Sequence, residues 1–337
     1  MKIIIPCCGR SSRYSLEKPK YMIVLPNGNL IIQEVINSLC KNTPFDTCDV
    51  DIVVKTEDII KSKINLDKIK FDVKNNVRFV KIDGYTNSPC ETIVEYFEDQ
   101  QISKYNSMIF FKDCDSVLEF EPSLIKLESK DLVSYSDVTD NICDITQKSF
   151  IDGSIISEKS KITNIFCNGL YGFNGITIEE LKEFSNFSEL LTARSNYFIK
   201  KSSSYKDYGT IKSFRKEHEK SKVIFCDIDG VLIENESEFF SPLWGESKNF
   251  IRENILKINE YYDNGSEIIL SSSRKEHVRE KTILQLKEAG VKYHRLILNL
   301  KTNIPRLLIN DCSALNINSA QSITLERDSK NLKNFIL

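Results

Sequence analysis

Asp227 and Asp229 stand one residue apart in VIFCDIDGVLIEN, residues 223–235, after four apolar residues and just before Gly230. A buried strand ending there points both carboxylates the same way at a sheet rim, and Gly230 lets the backbone turn sharply behind them. Two carboxylates held together repel, and a Mg2+ ion relieves the repulsion while drawing in a phosphate. One carboxylate can then attack phosphorus while the other moves protons. Other groups follow later apolar runs: Ser271 to Arg274 after EIIL, Lys301 after RLIL, and Asn310 with Asp311 after RLLI. Hydroxyls and backbone donors suit a phosphoryl oxygen, Lys301 offers a cation (Lys275 and Lys281 are the alternatives), and Asp311 can complete a metal site.

A second set opens the chain. Residues 6–20, PCCGRSSRYSLEKPK, put one glycine, small side chains and four cations (Arg10, Arg13, Lys18, Lys20) after the apolar run KIII. Backbone N–H groups in such a loop can cradle polyphosphate oxygens while cations offset their charge. The Walker pattern GxxxxGK[ST] is absent. Cys8 reads as a small buried residue rather than a redox group or nucleophile.

The elements that must position these groups alternate. Apolar runs at 2–5, 50–54, 77–82 and 108–111 read as strands, with helices after an Asn29 cap and over 57–70 and 89–99. Such alternation predicts a mainly parallel sheet covered on both faces. From 131 the pieces are short and β-rich, a mixed extension of that sheet, with a helix over 177–184. The polar stretch 212–222 reads equally as a linker or a solvated helix. Strands at 223–226, 267–271, 295–298 and 306–309 follow, with helices over 248–263 and from Lys275 to Ala289, closed by Gly290. The expected class is α/β in two domains, 1–212 and 222–337, joined by 213–221.

DIDGVL, SSSR, Lys301 and INDCS resemble, in order, the four motifs of the haloacid-dehalogenase-like (HAD-like) phosphohydrolases. That resemblance implies a Rossmannoid parallel sheet with a minimal cap in 231–247, including Trp244. It implies Asp227 as nucleophile forming an aspartyl phosphate, Asp229 as general acid/base, and Ser272, Ser273 and Lys301 on the phosphate. Asp227, Asp229 and Asp311 would hold Mg2+.

The first half resembles the nucleotidyltransferases that activate sugar and polyol phosphates, whose sheet is glycosyltransferase-A-like, mixed, with a Rossmann-like half. The likeness lies in the 6–20 loop, TNSPCET (86–92), FFKDCDS (110–116), NGLYGF (168–173) and YKDYGT (205–210). It implies Gly9, Ser11 and Ser12 around the phosphates, with Arg13 and Lys20 neutralising the triphosphate and the acceptor phosphate. Thr86 and Ser88 would lie near the base, Asn168 and Gly169 at the sugar, and Asp113, Asp115 and Asp207 at Mg2+. Cys7 and Cys8 stand where alanines are usual, and Ser11 and Ser88 where glycine is common.

Taken together, the two resemblances imply a bifunctional nucleotidyltransferase and phosphatase. One domain would transfer a nucleoside monophosphate from an NTP, CTP being preferred, to a sugar or polyol phosphate, releasing pyrophosphate. The other would hydrolyse a phosphate monoester of a related metabolite. Their fusion suggests consecutive steps towards a capsule or other surface-polysaccharide precursor. The alternatives are a single catalytic domain with a regulatory partner, or a DxD glycosyltransferase fused to a phosphatase.

Composition is compatible. The 337 residues leave room for two cores, and 41% apolar with 28% charged residues is the balance of a globular protein. A net charge of −2 gives no electrostatic ground for nucleic acid or an anionic membrane as partner. MKIIIP is too short for a signal peptide, and no apolar run approaches the ~20 residues of a membrane span. The ten cysteines are scattered without a CxxC pair, as expected of free thiols in the cytoplasm. Self-association is left open.

Overall fold

The computed structural model describes residues 1–9, 19–41, 43–121, 130–138, 145–153, 155–219, 222–235, 244, 247–302, 304–311 and 320–335. The chain divides into two compact units, Met1–Lys216 and Glu217–Leu337.

In the first unit β1 (Lys2–Pro6), α1 (Ile31–Cys40), β2 (Asp49–Lys55), α2 (Thr56–Ser62), β3 (Val77–Ile82), α3 (Pro89–Asp99) and β4 (Lys104–Lys112) alternate. β1 runs parallel to β2 and β4, and β2 parallel to β3. Ile3, Ile4 and Ile5 are all fully buried, which is why β1 reads as an unbroken apolar run rather than an alternating one. There follow β5 (Ser116–Glu119), β6 (Asp131–Asp137), β7 (Ser149–Asp152), β8 (Ile155–Glu158), β9 (Ile165–Thr177), α4 (Ile178–Lys182), α5 (Phe187–Arg194), β10 (Tyr197–Lys201), β11 (Ser204–Asp207) and α6 (Ile211–Glu219). β9 lies antiparallel between β4 and β6 and joins the parallel half to the rest. Among the described residues the result is a nine-stranded mixed sheet ordered β10-β6-β9-β4-β1-β2-β3, with β7 and β8 beside β9. β5 and β11 form a separate antiparallel ribbon.

Strand alternation sends neighbouring residues of β4 to opposite faces. Phe111 stacks on Phe187 of α5 at 4.6 Å, while Phe110 meets Phe45 edge-on at 5.0 Å. Each fully buried ring contributes about 2–3 kcal/mol.

Several boundaries differ from expectation. α1 is capped by Leu30, whose N–H donates to Gln33 Oε1 at 2.7 Å, while Asn29 turns its amide to Glu34. α2 stops at Ser62 because Lys63 takes a left-handed φ of +52°, so the α-helix does not run on to 70 and only a 3-10 turn at Leu66–Lys68 follows. The stretch beginning at 212 is helical, and its one large apolar side chain, Phe214, is buried against Tyr208 with ring centroids 6.0 Å apart.

In the second unit β12 (Val223–Asp227), β13 (Glu267–Ser271) and β14 (Arg295–Ile297) form a parallel sheet in that order, with α7 (Arg252–Asp263) and α8 (Arg279–Ala289). Its core gathers Ile228, Leu232, Ile255, Ile258, Leu270 and Leu286. α8 ends at Gly290, φ +75°, as expected, but a 3-10 turn at Glu276–Val278 precedes it. The expected strand at 306–309 is absent. Among the described residues 304–311 has no strand partner, and Leu307 and Ile309 are each 83% exposed. Most of the expected cap, including 236–243, lies outside the described residues. No helix among them is long and apolar enough to cross a membrane.

Candidate active site

β4 ends at Lys112 and the chain turns at once into β5, which leaves Asp113 and Asp115 at the carboxyl edge of the parallel strands. The turn is held from inside. Lys112 is fully buried, and its Nζ donates to the Asp113 carbonyl at 2.8 Å and to the Ser116 carbonyl and Oγ at 2.6 Å each. These three bonds use all of the ammonium's hydrogens. Burial pulls the Lys112 pKa down to about 8.

Asp113 donates its N–H to the Gly169 carbonyl at 2.8 Å, and its carboxylate fills the space over that glycine. A Cβ on Gly169 would lie 2.5 Å from Asp113 Oδ2 and 2.7 Å from Ser116 Oγ. Burial, then the charge of Asp115, raises the Asp113 carboxyl to about 6. Burial pushes Asp115 the same way, but Lys20, ion-paired with it, outweighs that and holds its carboxyl well below the usual range.

β11 pairs with β5 so that Asp207 faces Ser116. Asp207 accepts from Gly209 N–H at 3.0 Å and Ser213 Oγ at 3.0 Å, and its Oδ2 lies 3.1 Å from Lys148 Nζ. Lys148 also donates to Tyr205 Oη at 2.6 Å. A Cβ on Gly209 would stand 3.1 Å from Asp207 Oδ1 and 3.2 Å from Asp115 Oδ2, so two carboxylates meet over this glycine. Asp113, Asp115, Asp207 and Lys20 are thus brought together from three separate stretches. Among the described residues, though, no three His, Cys, Asp or Glu side chains converge as ready-made metal ligands.

The other expected contacts divide. Gly9 is exposed with open space beside it, and Arg13, Ser11 and Ser12 lie outside the described residues. Thr86 is buried, hydroxyl to hydroxyl with Thr92 at 2.6 Å. Ser88 caps α3, its Oγ accepting from Glu91 N–H at 3.1 Å. Asn168 is held by three serines. It is buried, Ser134 donates to its Oδ1, and its Nδ2 donates to Ser136 and Ser202 Oγ at 2.8 and 2.9 Å. Lys112 and Lys148 went unnoticed in the sequence. The cation ending the apolar run IFFK was a signal for the first; nothing local marks the second.

In the second unit Asp227 closes β12 and Asp229 follows it, as expected. Their partners were not foreseen. The buried Arg274 donates through Nε and Nη2 to both oxygens of Asp229 at 2.8–3.2 Å. Arg274 is itself fixed by Gln285 Oε1 at 2.6 Å and Thr282 Oγ1 at 3.2 Å. Ser272 Oγ donates to Asp229 Oδ2 at 3.2 Å. Arg306 lies 3.3 Å from Asp227 Oδ2, yet burial still raises the Asp227 carboxyl. Ser273 is partly buried beside them, and Lys301 and Asp311 are exposed. Arg274 was visible as the cation ending SSSR.

No protein-family model and no curated protein matches the chain. Among solved structures it is similar to a nucleoside-diphosphate-sugar pyrophosphorylase from Vibrio cholerae RC9, 18% identical, covering 63% of this chain and 98% of that one at a TM-score of 0.45. It is also similar to the inositol-1-phosphate CTP transferase from T. maritima, 14% identical, covering 63% of this chain and 90% of that one, TM-score 0.45. A third similar structure is HddC from Yersinia pseudotuberculosis, 18% identical, covering 64% of this chain and 96% of that one, TM-score 0.43.

Proposed function

We propose that the first unit transfers a nucleoside monophosphate from an NTP, CTP being the expected one, to a sugar or polyol phosphate. One observation carries this reading: Lys20, Asp115 and Asp207, with Asp113 beside them, meet at the carboxyl end of a parallel sheet, where open α/β sheets take their ligands. The acceptor's phosphate oxygen attacks the α-phosphorus and pyrophosphate leaves, so positioning and charge stabilisation suffice without a protein nucleophile. Lys20 exchanges Asp115 for a phosphate oxygen, and Lys148 holds Asp207 in place. Carboxylate oxygens are the donors a hard divalent ion takes, although as they stand no three converge on one point among the described residues. Asp113, Asp115 and Asp207 would hold Mg2+, which supplies positive charge against the phosphates.

For the second unit the reading is phosphomonoester hydrolysis, with Asp227 attacking phosphorus and Asp229 handling the proton. It is supported by the two carboxylates at the mouth of β12 with Ser272 bonded to one of them. Arg306 must leave Asp227 before attack, and a phosphate group gives it somewhere to go.

The test is incubation with each NTP, Mg2+ and a panel of sugar and polyol phosphates, reading pyrophosphate and orthophosphate separately. Asp113→Asn should abolish pyrophosphate release and spare orthophosphate release, and Asp227→Asn should do the reverse. Either product persisting in its matching variant refutes that site.

A further inference from the structure

We propose that Gln285 on α8 is a positioning residue for the second unit: through Arg274 it fixes the carboxylate of Asp229. The inference deepens the hydrolysis proposed above for that unit and rests on it. The buried face of α8 carries Thr282, Gln285, Leu286 and Ala289, so two polar side chains one turn apart point into an otherwise apolar core. Both accept from the same nitrogen, Arg274 Nη1, Gln285 Oε1 at 2.6 Å and Thr282 Oγ1 at 3.2 Å. The Gln285 amide is set from its other end, where Nε2 donates to the Ser247 carbonyl at 2.5 Å. A guanidinium is planar and rigid, so holding Nη1 sets the direction of Nε and Nη2, which donate to both oxygens of Asp229. The main chain of Arg274 is held too: its N–H donates to Ser272 Oγ at 3.1 Å and its carbonyl accepts from Asn299 N–H at 2.7 Å.

Stability alone does not call for this arrangement. Arg274, Thr282 and Gln285 are 1%, 0% and 3% exposed. Apolar side chains of similar volume would fill the space at equal or lower cost, whereas the buried ion pair gives its carboxylate one defined orientation. Asp229, at the end of this chain of contacts, is the group that reaches solvent, its side chain 19% exposed. In the hydrolysis, Asp227 bonds to phosphorus as the leaving oxygen departs. A water oxygen then bonds to phosphorus, the bond from phosphorus to Asp227 breaks, and the Asp229 carboxylate takes the water's proton. Freeing Asp229 by loss of Gln285 slows that second step. It spares the first wherever the leaving group departs without a proton.

The full chain is compared with Gln285→Met, in which the side chain keeps its length and loses both bonds, on p-nitrophenyl phosphate, whose leaving group needs no proton. We expect kcat to fall about tenfold or more. The ratio kcat/KM, which covers only the steps up to departure of the leaving group, should stay within about threefold of wild type. Phosphorylated chain should accumulate in mass spectra of the acid-quenched reaction, and more strongly in Asp229→Asn. If Gln285→Met does not fold, Thr282→Val, which removes the other acceptor of Nη1, takes its place with the same expectations. An unchanged kcat, or a kcat/KM that falls as far as kcat without phosphorylated chain, marks a merely structural side chain and overturns the proposal. If the wild type leaves p-nitrophenyl phosphate and every monoester of the panel intact, it is the hydrolysis reading that fails. In that case, or where only a panel monoester is hydrolysed, crystal structures of wild type and variant decide: an Asp229 carboxylate displaced by about 1 Å upholds the positioning role, and one left in place overturns it.

Discussion

Gly169 has no room for a methyl group. Its φ of +93° is one that side chains rarely adopt, and the Cβ position is already taken by Asp113 and Ser116. Gly169→Ala should therefore cost about 2–4 kcal/mol, backbone strain adding to displacement of a buried carboxylate. Urea unfolding measures this, and pyrophosphate formation should fall by about two orders of magnitude because Asp113 moves. A second residue tests electrostatics away from the site. Asp51 is buried on β2, bonded by Arg78 at 2.7 and 2.8 Å, Lys2 at 2.8 Å and Tyr96 Oη at 2.5 Å. Burial alone would raise its carboxyl, but the bonds from Arg78, Lys2 and Tyr96 prevail and the pKa is lowered. A lowered carboxyl stabilises fully above the unfolded value of about 4, and that contribution disappears as pH falls through the folded value. Asp51→Ala should cost roughly 2–4 kcal/mol at neutral pH, with the gap to wild type narrowing below pH ~4 in acid titrations of stability.

At the scale of elements, caps decide where helices begin. Ser88→Ala removes the bond to Glu91 N–H at the start of α3 and should lower the urea midpoint by the equivalent of about 1 kcal/mol. The strand and helix order of the parallel half was legible because fully buried strands are continuous apolar runs and amphipathic helices repeat at 3.6 residues. α8 and its Gly290 stop were legible for the same kind of reason. The stretch beginning at 212 reads equally as linker or helix, since its buried side chains, Ser213 and Phe214, are adjacent and give no helical period to read. RLLI looked like a strand from its apolar content, but a strand also needs a partner edge, which composition does not encode. The site was half legible. Asp113, Asp115, Asp207 and Lys20 lie in recognisable turns, whereas Lys148 arrives through the pairing of distant strands. Asn168 bonds Ser136 and Ser202, partners from distant strands that its own stretch of sequence does not mark.

On the scale of the whole molecule, each compact unit has a core of its own, one around Ile4, Phe111 and Phe187 and one around Ile228 and Leu270. A chain ended after Glu219 should therefore unfold in one cooperative transition and keep any pyrophosphate-forming activity; a gradual, non-cooperative loss of circular dichroism would contradict this. Within the first unit, β9 is the element everything else leans on. Its 13 residues pair with β6 along one edge and with β4 and then β7 along the other, and Gly169 lies within it. Loss of either flank would strip β9 of the hydrogen bonds along that edge. Deuterium should enter the amides of Leu170 to Phe173 last of all, at a rate set by global opening, and the seat of Asp113 should vanish in that same event.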